Sequence, residues 1–165
     1  MVRSLGAAEA FDYNDPHCAS KIREYTHDEL KLCWDTISLP PTAKLCAEAL
    51  SSDGAGCIYG AILPVKSPRE DVKSTYSLGY TTTGEYFEFN INPQKPRVFE
   101  ASTEDWEFAK SWAVEFEKIL AEGKLHVNEP RIGKGGLKGT LDGMDDLRHG
   151  RVSGMRLVYQ VEDTP

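Results

Sequence analysis

The stretch Cys57-Ile-Tyr-Gly-Ala-Ile-Leu63 is apolar almost throughout and is stopped by Pro64. A strand without polar–apolar alternation is one buried on both faces, and such strands belong to parallel sheets with helices on either side. That expectation fixes the class of fold before any other residue is read. At 165 residues the chain is long enough to bury such a core and matches the length of one domain.

The segments around this strand follow suit. Ala10-Phe11 within Ala7–Tyr13 reads as a buried strand that ends in the turn Asp12-Tyr13-Asn14-Asp15-Pro16. Pro16 opens a short helix whose Cys18, Ile22 and Tyr25 share a face. Leu30–Ile37 reads as a strand ended by Pro40-Pro41, and Thr42 caps a helix with Leu45, Cys46, Ala49 and Leu50 on its apolar side. Val65–Ser74 is polar and reads as a loop, whereas Tyr76, Leu78 and Tyr80 alternate as in a strand over 75–83. Phe87, Phe89 and Ile91 alternate again. Thr103 caps the strongest helix, with Trp106, Ala109, Trp112, Ala113, Phe116, Ile119 and Leu120 as its buried stripe and Gly123 as its stop. Leu125–Val127 reads as a short strand. Leu137, Leu141, Met144 and Leu147 mark a further helix closed at Gly150, and Leu157, Tyr159 and Val161 a last strand. Strands interleaved with helices in this order predict an α/β protein with a mostly parallel sheet flanked by helices.

Several function classes are disfavoured. A net charge of −7 argues against a nucleic-acid partner, which needs a basic surface. No apolar run is long enough to span a membrane, and there is no signal-peptide core, so a cytoplasmic setting is expected. Cys18, Cys33, Cys46 and Cys57 form no C-x-x-C pair, and three of them sit inside apolar runs, as reduced core thiols do. His17, His27, His126 and His149 lie far apart, so no metal site is expected. Gly133-Lys-Gly-Gly-Leu-Lys-Gly139 fails the G-x-G-x-x-G spacing at Lys138, and Gly54-Ala-Gly56 precedes a strand instead of following one. No G-x-S-x-G elbow occurs. Asp12 with Asp15, and Glu85 with Glu88, are carboxylate pairs that could move protons if desolvated, although such pairs more often form turns or solvated charge. Tyr76, Tyr80, Tyr86, Phe87 and Phe89 concentrate aromatics either as core packing or as the wall of an apolar pocket.

Ser4-Leu-Gly-Ala-Ala-Glu-Ala-Phe-Asp-Tyr13, Ile22-Arg-Glu-Tyr-Thr26, Leu30-Lys-Leu-Cys-Trp-Asp-Thr-Ile37 and Leu147–Val161, taken in order, resemble the trans-acting enoyl reductases of fungal polyketide pathways, within the zinc-independent medium-chain dehydrogenase/reductases. The resemblance implies an NADPH-dependent fold in which hydride passes to the α,β-unsaturated thioester of a polyketide carried by a partner synthase. It places Tyr13 after the third Rossmann strand near the adenosine phosphate, Ala61 and Ile62 along the cofactor, Leu78, Gly79, Tyr80, Thr81 and Thr82 against the acyl substrate, and Val152 and Ser153 at the cofactor just before the last strand.

Measured against that family, the chain corresponds to the C-terminal part. The opening Met1-Val-Arg-Ser-Leu-Gly6 falls past the Gly-rich turn, and the GroES-like catalytic domain and the first two Rossmann strands have no counterpart. The expected architecture is thus an incomplete Rossmann-like sheet in a single domain, residues 1–165, with the closing helix and strand of the reductase. The Phe11 strand, deprived of its neighbour, is expected to pair directly with Leu30–Ile37, and a homodimer to cover the exposed edge. Without a diphosphate seat no cofactor is expected for this chain alone, and the family's cofactor positions become vestigial. The preferred reading is a repurposed protein that binds a polyketide-derived molecule and acts without redox chemistry, as a cyclase or isomerase, with Tyr59, Tyr80, Glu85 and Glu88 as its polar groups. The alternatives are an enoyl reductase completed by parts supplied in trans, and a non-enzymatic module that docks a synthase.

Overall fold

A computed structural model describes residues 2–89, 96–125 and 127–165. Ile91 of the expected alternation and His126 lie outside the described residues. The fold divides into two compact units, residues 9–114 and residues 1–8 with 115–165.

The first unit is built on a three-stranded parallel sheet. β1 (Leu32–Asp35) pairs with β2 (Ile58–Ala61), and β2 with β3 (Lys73–Tyr76), in the order β1-β2-β3. β2 is the doubly buried strand expected from its composition: Tyr59 and Ala61 are wholly enclosed, and Cys57 just before it nearly so. Its apolar run outlasts the strand, since Ile62 and Leu63 are exposed. α1 (Cys18–Tyr25) and α2 (Pro40–Ala49) pack on each other, and α2 also packs on β1. The core joins Ala43, Leu50, Cys57, Tyr59, Ala61 and Val72, with Leu30, Cys33, Cys46 and Val65 against it.

Both ends of α2 are chemically fixed. It starts one residue after Leu39, so Pro40 and Pro41 open the helix instead of merely ending the strand. Thr42 sits at its third position, and its Oγ1 accepts the Leu39 N–H at 3.1 Å. At the other end, main-chain carbonyls that the helix cannot satisfy are taken by arginine. Arg69 donates to Ala47 O at 3.2 Å and Ser51 O at 2.8 Å, and Arg23 to Leu50 O at 3.1 Å.

The remainder of this unit departs from the sequence reading. Ala7–Tyr13 forms no strand, and Phe11 instead meets the edge of Tyr25 at 5.8 Å between ring centres. The direct pairing expected between this segment and β1 is therefore not made. The strand expected over 75–83 starts two residues earlier and stops at Tyr76, and Gly79–Thr83 coils into a 3-10 turn. β4 (Phe87–Phe89) pairs antiparallel with β5 (Arg97–Phe99), and Phe87 stacks on Phe99 at 4.9 Å. α3 (Thr103–Ala121) is capped by Ser102, whose Oγ accepts the Asp105 N–H at 3.1 Å, instead of by Thr103. Its stripe is not buried: Trp106 and Trp112 keep 44% and 50% of their surface.

In the second unit β6 (Glu129–Gly133) runs parallel to β7 (Met155–Tyr159). β6 was missed in the sequence because Pro130 and Arg131 disguise it, and Leu125 and Val127, expected in a strand, lie outside any. α4 (Gly136–Arg148) packs on both strands. It docks through its glycines, not its leucines. Gly136, Gly139 and Gly143 are buried, whereas Leu137, Leu141, Met144 and Leu147 are exposed. A Cβ at Gly139 would strike the Lys134 carbonyl, and one at Gly143 the Tyr159 hydroxyl. Asp146 ties α4 to β6 and to the loop before β7 by accepting from Arg131 at 2.5 Å and from Arg151 Nε at 2.8 Å.

The glycine face gives a direct expectation. Gly139→Ala gains about 1 kcal/mol of helix propensity, but the new methyl meets immovable backbone, and overpacking costs about 1–3 kcal/mol. Urea unfolding should show a net loss for Gly139→Ala, while Leu141→Ala stays within about 0.5 kcal/mol of the parent.

Candidate functional site

The ends of β1 and β2 meet at a buried carboxylate. Asp35 closes β1 at 5% exposure. Its Oδ1 accepts the N–H groups of Ile37 (2.9 Å) and Ser38 (2.8 Å), and its Oδ2 accepts the hydroxyls of Thr42 (2.7 Å) and Tyr59 (2.9 Å). Ser38, held in the left-handed region at φ 57°, donates from Oγ to Asp35 O at 2.8 Å and accepts the Ile62 N–H at 2.9 Å. Burial alone would push the Asp35 carboxyl up. The four donated hydrogen bonds outweigh it and hold the group below the usual carboxylate range. Burial and the bond to Asp35 drive the Tyr59 phenol the other way, well above its ordinary value.

This arrangement corrects one sequence expectation. Tyr59, a catalytic candidate, has no exposed surface, and its hydroxyl is committed to Asp35. It is a core group that ties β2 to the end of β1.

The same geometry bears on the cofactor. A diphosphate is held at a strand-to-helix turn by free amides and glycine backbone. In the β1–α2 turn the Ile37 and Ser38 amides already point at Asp35. The first two helical residues are prolines without N–H groups, and the turn Thr36–Leu39 contains no glycine. These residues do not fit a diphosphate. Of the family's cofactor positions, Tyr13 is exposed in the turn before α1, Ala61 is fully buried and Ile62 half exposed at the end of β2, and Val152 and Ser153 belong to the second unit.

An open cleft of the first unit lies elsewhere. Its volume is about 470 Å³, and Leu78, Gly79, Thr81, Thr82, Phe99, Asp105 and Phe108 line it, with Tyr76 and Ser77 at the end of β3. Gly84, at φ 73°, makes this possible. A Cβ there would lie 2.8 Å from that of Trp106, so only glycine lets the start of α3 close on the 3-10 turn. The Thr81 and Thr82 hydroxyls donate back to Leu78 O at 2.9 Å and Gly79 O at 2.5 Å, which stiffens the wall.

Four of the five residues assigned to the acyl substrate therefore line one cleft. Tyr80 does not: its ring turns to Phe89 (5.6 Å) and Phe87 (6.1 Å). Glu85 and Glu88 are exposed and absent from the lining, and Glu88 accepts the Tyr86 hydroxyl at 2.7 Å. The carboxylate that does line the cleft is Asp105, in the first turn of α3. Sequence reasoning missed it, along with Phe99 and Phe108. Phe108 carried a usable signal, being a large aromatic off the apolar stripe of its helix. Among the described residues no cluster of His, Cys, Asp or Glu could hold a metal ion, and no helix is long and apolar enough to cross a membrane.

Parallel sheets flanked by helices define a Rossmann-like α/β fold. The solved structure of CurA from Vibrio vulnificus, in complex with NADPH, shares this fold at a TM-score of 0.55 and 15% identity, over 95% of this chain and 44% of that one. No protein-family profile matches. Curated relatives do: a dual trans-enoyl reductase/FAD-dependent monooxygenase of Aspergillus terreus is 46% identical over 90% of this chain and 20% of its own length. Trans-enoyl reductases of Alternaria alternata and Aspergillus sclerotiorum are 38% and 36% identical over 98% of this chain, and 45% and 44% of theirs. The chain is thus a homologue of the fungal trans-enoyl reductases and spans less than half the length of these relatives.

The Asp35 cluster predicts an acid-labile core. Its folded pKa lies below the unfolded value, so its contribution is fully present above about pH 4 and is lost as pH falls through the folded value. Urea midpoints measured down that range should fall for the parent chain. Asp35→Asn should start lower and show a shallower acid slope.

Proposed function

We propose that this chain serves polyketide biosynthesis by holding an acyl thioester in the Leu78–Phe108 cleft and moving a proton at Asp105, without hydride transfer. The thioester arrives on a synthase partner. The observation that carries this reading is a single carboxylate set among Leu78, Phe99 and Phe108 on a wall stiffened by Thr81 and Thr82.

Two reactions suit such a site. In an isomerisation, Asp105 takes a proton from the γ-carbon of an enoyl thioester, the electron pair shifts into a dienolate, and the proton returns at the α-carbon. In a cyclisation, Asp105 takes an α-proton, the enolate carbon bonds to a ketone carbon of the same chain, and the proton passes to the resulting alkoxide. Neither changes the mass of the substrate, and both need the chain held folded, which apolar walls do.

A second reading is favoured by the relatives' names: enoyl reduction with NADPH seated by residues of another chain. Incubating the protein with an enoyl-pantetheine thioester separates the two by mass spectrometry. The first reading gives an isomer of unchanged mass without NADPH, and the second a product two hydrogens heavier that requires NADPH and a complementing chain. In the first case Asp105→Asn should slow turnover by about 10²–10⁴-fold, the usual worth of a positioned general base. Phe108→Ala should chiefly raise KM. An Asp105→Asn variant with unimpaired turnover would remove the proposal.

A further inference from the structure

The four cysteines divide into two kinds. Cys18 and Cys57 are buried, whereas Cys33 and Cys46 are half-buried. Cys57 Sγ donates to Asp53 O at 3.4 Å and is spent on that carbonyl. Burial and the carboxylates of Asp15 and Asp12 push the Cys18 thiol up, which keeps it protonated and inert. Cys33 and Cys46 instead meet each other. Cys33 lies in β1 and Cys46 in α2, both pack against the core, and their side chains are hydrogen-bonded to one another. The contact joins a strand and a helix of the same unit, so both sulfurs belong to this chain whatever lies beyond the outer edge of β1.

The two thiols are not equivalent. The hydrogen bond from Cys46 holds the Cys33 thiol below its ordinary value, against burial and the charge of Asp35, which raise it. The same bond, burial and the charges of Cys33 and Asp35 push Cys46 up, so that it keeps its proton. A sulfur that ionises first, beside one that stays a thiol, is the arrangement of an attacking and a resolving cysteine.

We propose that Cys33 and Cys46 form an oxidative modification site, with hydrogen peroxide as the oxidant and an intrachain disulfide between β1 and α2 as the product. Cys33 gives up its proton, and its sulfur attacks one oxygen of the peroxide. The O–O bond breaks, which leaves Cys33 as a sulfenic acid and the other oxygen as hydroxide, and the hydroxide takes up the proton. The Cys46 sulfur then attacks the sulfenic sulfur. The S–S bond forms, the S–O bond breaks, and the hydroxyl departs as water with the Cys46 proton. The sulfurs lose a pair of electrons, and the peroxide gains that pair and ends as water. The site shares no residue with the Asp105 cleft and stands apart from the reaction proposed there.

The test treats the 165-residue chain with a small excess of hydrogen peroxide, alkylates the remaining thiols in denaturant and digests without reductant. Mass spectrometry should find a linked peptide pair that carries Cys33 and Cys46 and that dithiothreitol separates, with Cys18 and Cys57 alkylated. Cys46→Ser removes the resolving thiol, so a 1,3-dione that traps sulfenic acids should label Cys33 more strongly than in the parent chain, by on the order of tenfold. Cys33→Ser should leave Cys46 unoxidised. The peptide map of the parent chain needs no variant, and it decides the matter even where a substitution prevents folding. Cys33 and Cys46 both still free after peroxide, Cys46 joined to Cys18 instead, Cys33 passing to sulfinic acid without the linkage, or the dione on Cys46 in place of Cys33 would each overturn the proposal.

Discussion

One carboxylate organises the first unit. Asp35 gathers two amides from the turn after β1, a hydroxyl from α2 and a hydroxyl from β2. A buried anion without partners is prohibitive, and a buried anion with four donors fixes every element that donates. The strand, the turn, the helix start and the neighbouring strand thus cannot shift independently. Ser38 extends the lock by accepting from Ile62, beyond the end of β2. Its left-handed backbone, unfavourable for a residue with a side chain, is the local strain that this network sustains.

That lock separates structure from function within one small sheet. In open parallel sheets the carboxyl ends of the strands are where ligands usually settle. Here the ends of β1 and β2 are filled by the protein's own polar groups, and the accessible space lies past the end of β3, where the chain leaves the sheet for a 3-10 turn and α3 closes over it. The cleft wall is accordingly made of short local hydrogen bonds, Thr81 to Leu78 and Thr82 to Gly79, and of a glycine that admits Trp106.

Legibility in the sequence follows the type of signal. β2 was readable because a run apolar almost throughout, between Gly56 and Pro64, has one economical burial. α1 and the parallel sheet were readable from spacing. The helices α3 and α4 were located correctly, yet their packing faces were not. Periodicity reports where apolar side chains cluster, and burial was inferred from that. α4 shows why the inference fails: its contact surface is Gly136, Gly139 and Gly143, which hold backbone against Lys134 and Tyr159 and carry no hydrophobic signature at all. Leu78, Gly79, Thr81 and Thr82 came from family resemblance, and the structure gathers them in one cleft, whereas Tyr80 is claimed by aromatic neighbours three-dimensional in origin. Asp35 and Asp105 were invisible for opposite reasons. The first resembles an ordinary strand-ending aspartate, and the second an ordinary helix-start carboxylate.

The start of α2 carries the last step. A helix N-terminus offers positive potential and unpaired amides, and an anion there is stabilised. In this chain that anion is Asp35 itself, two and three residues before the amides it accepts from. Proline at the first two helical positions removes two of the N–H groups that a helix start otherwise offers. An incoming diphosphate would meet a carboxylate of like sign held below its usual pKa and therefore charged at neutral pH. Displacing Asp35 would strand the buried hydroxyl of Tyr59, at about 1–3 kcal/mol for a buried group left unpaired. The turn is thus already occupied by the protein's own anion, and the hydrogen bonds of Asp35 serve the core instead of a ligand.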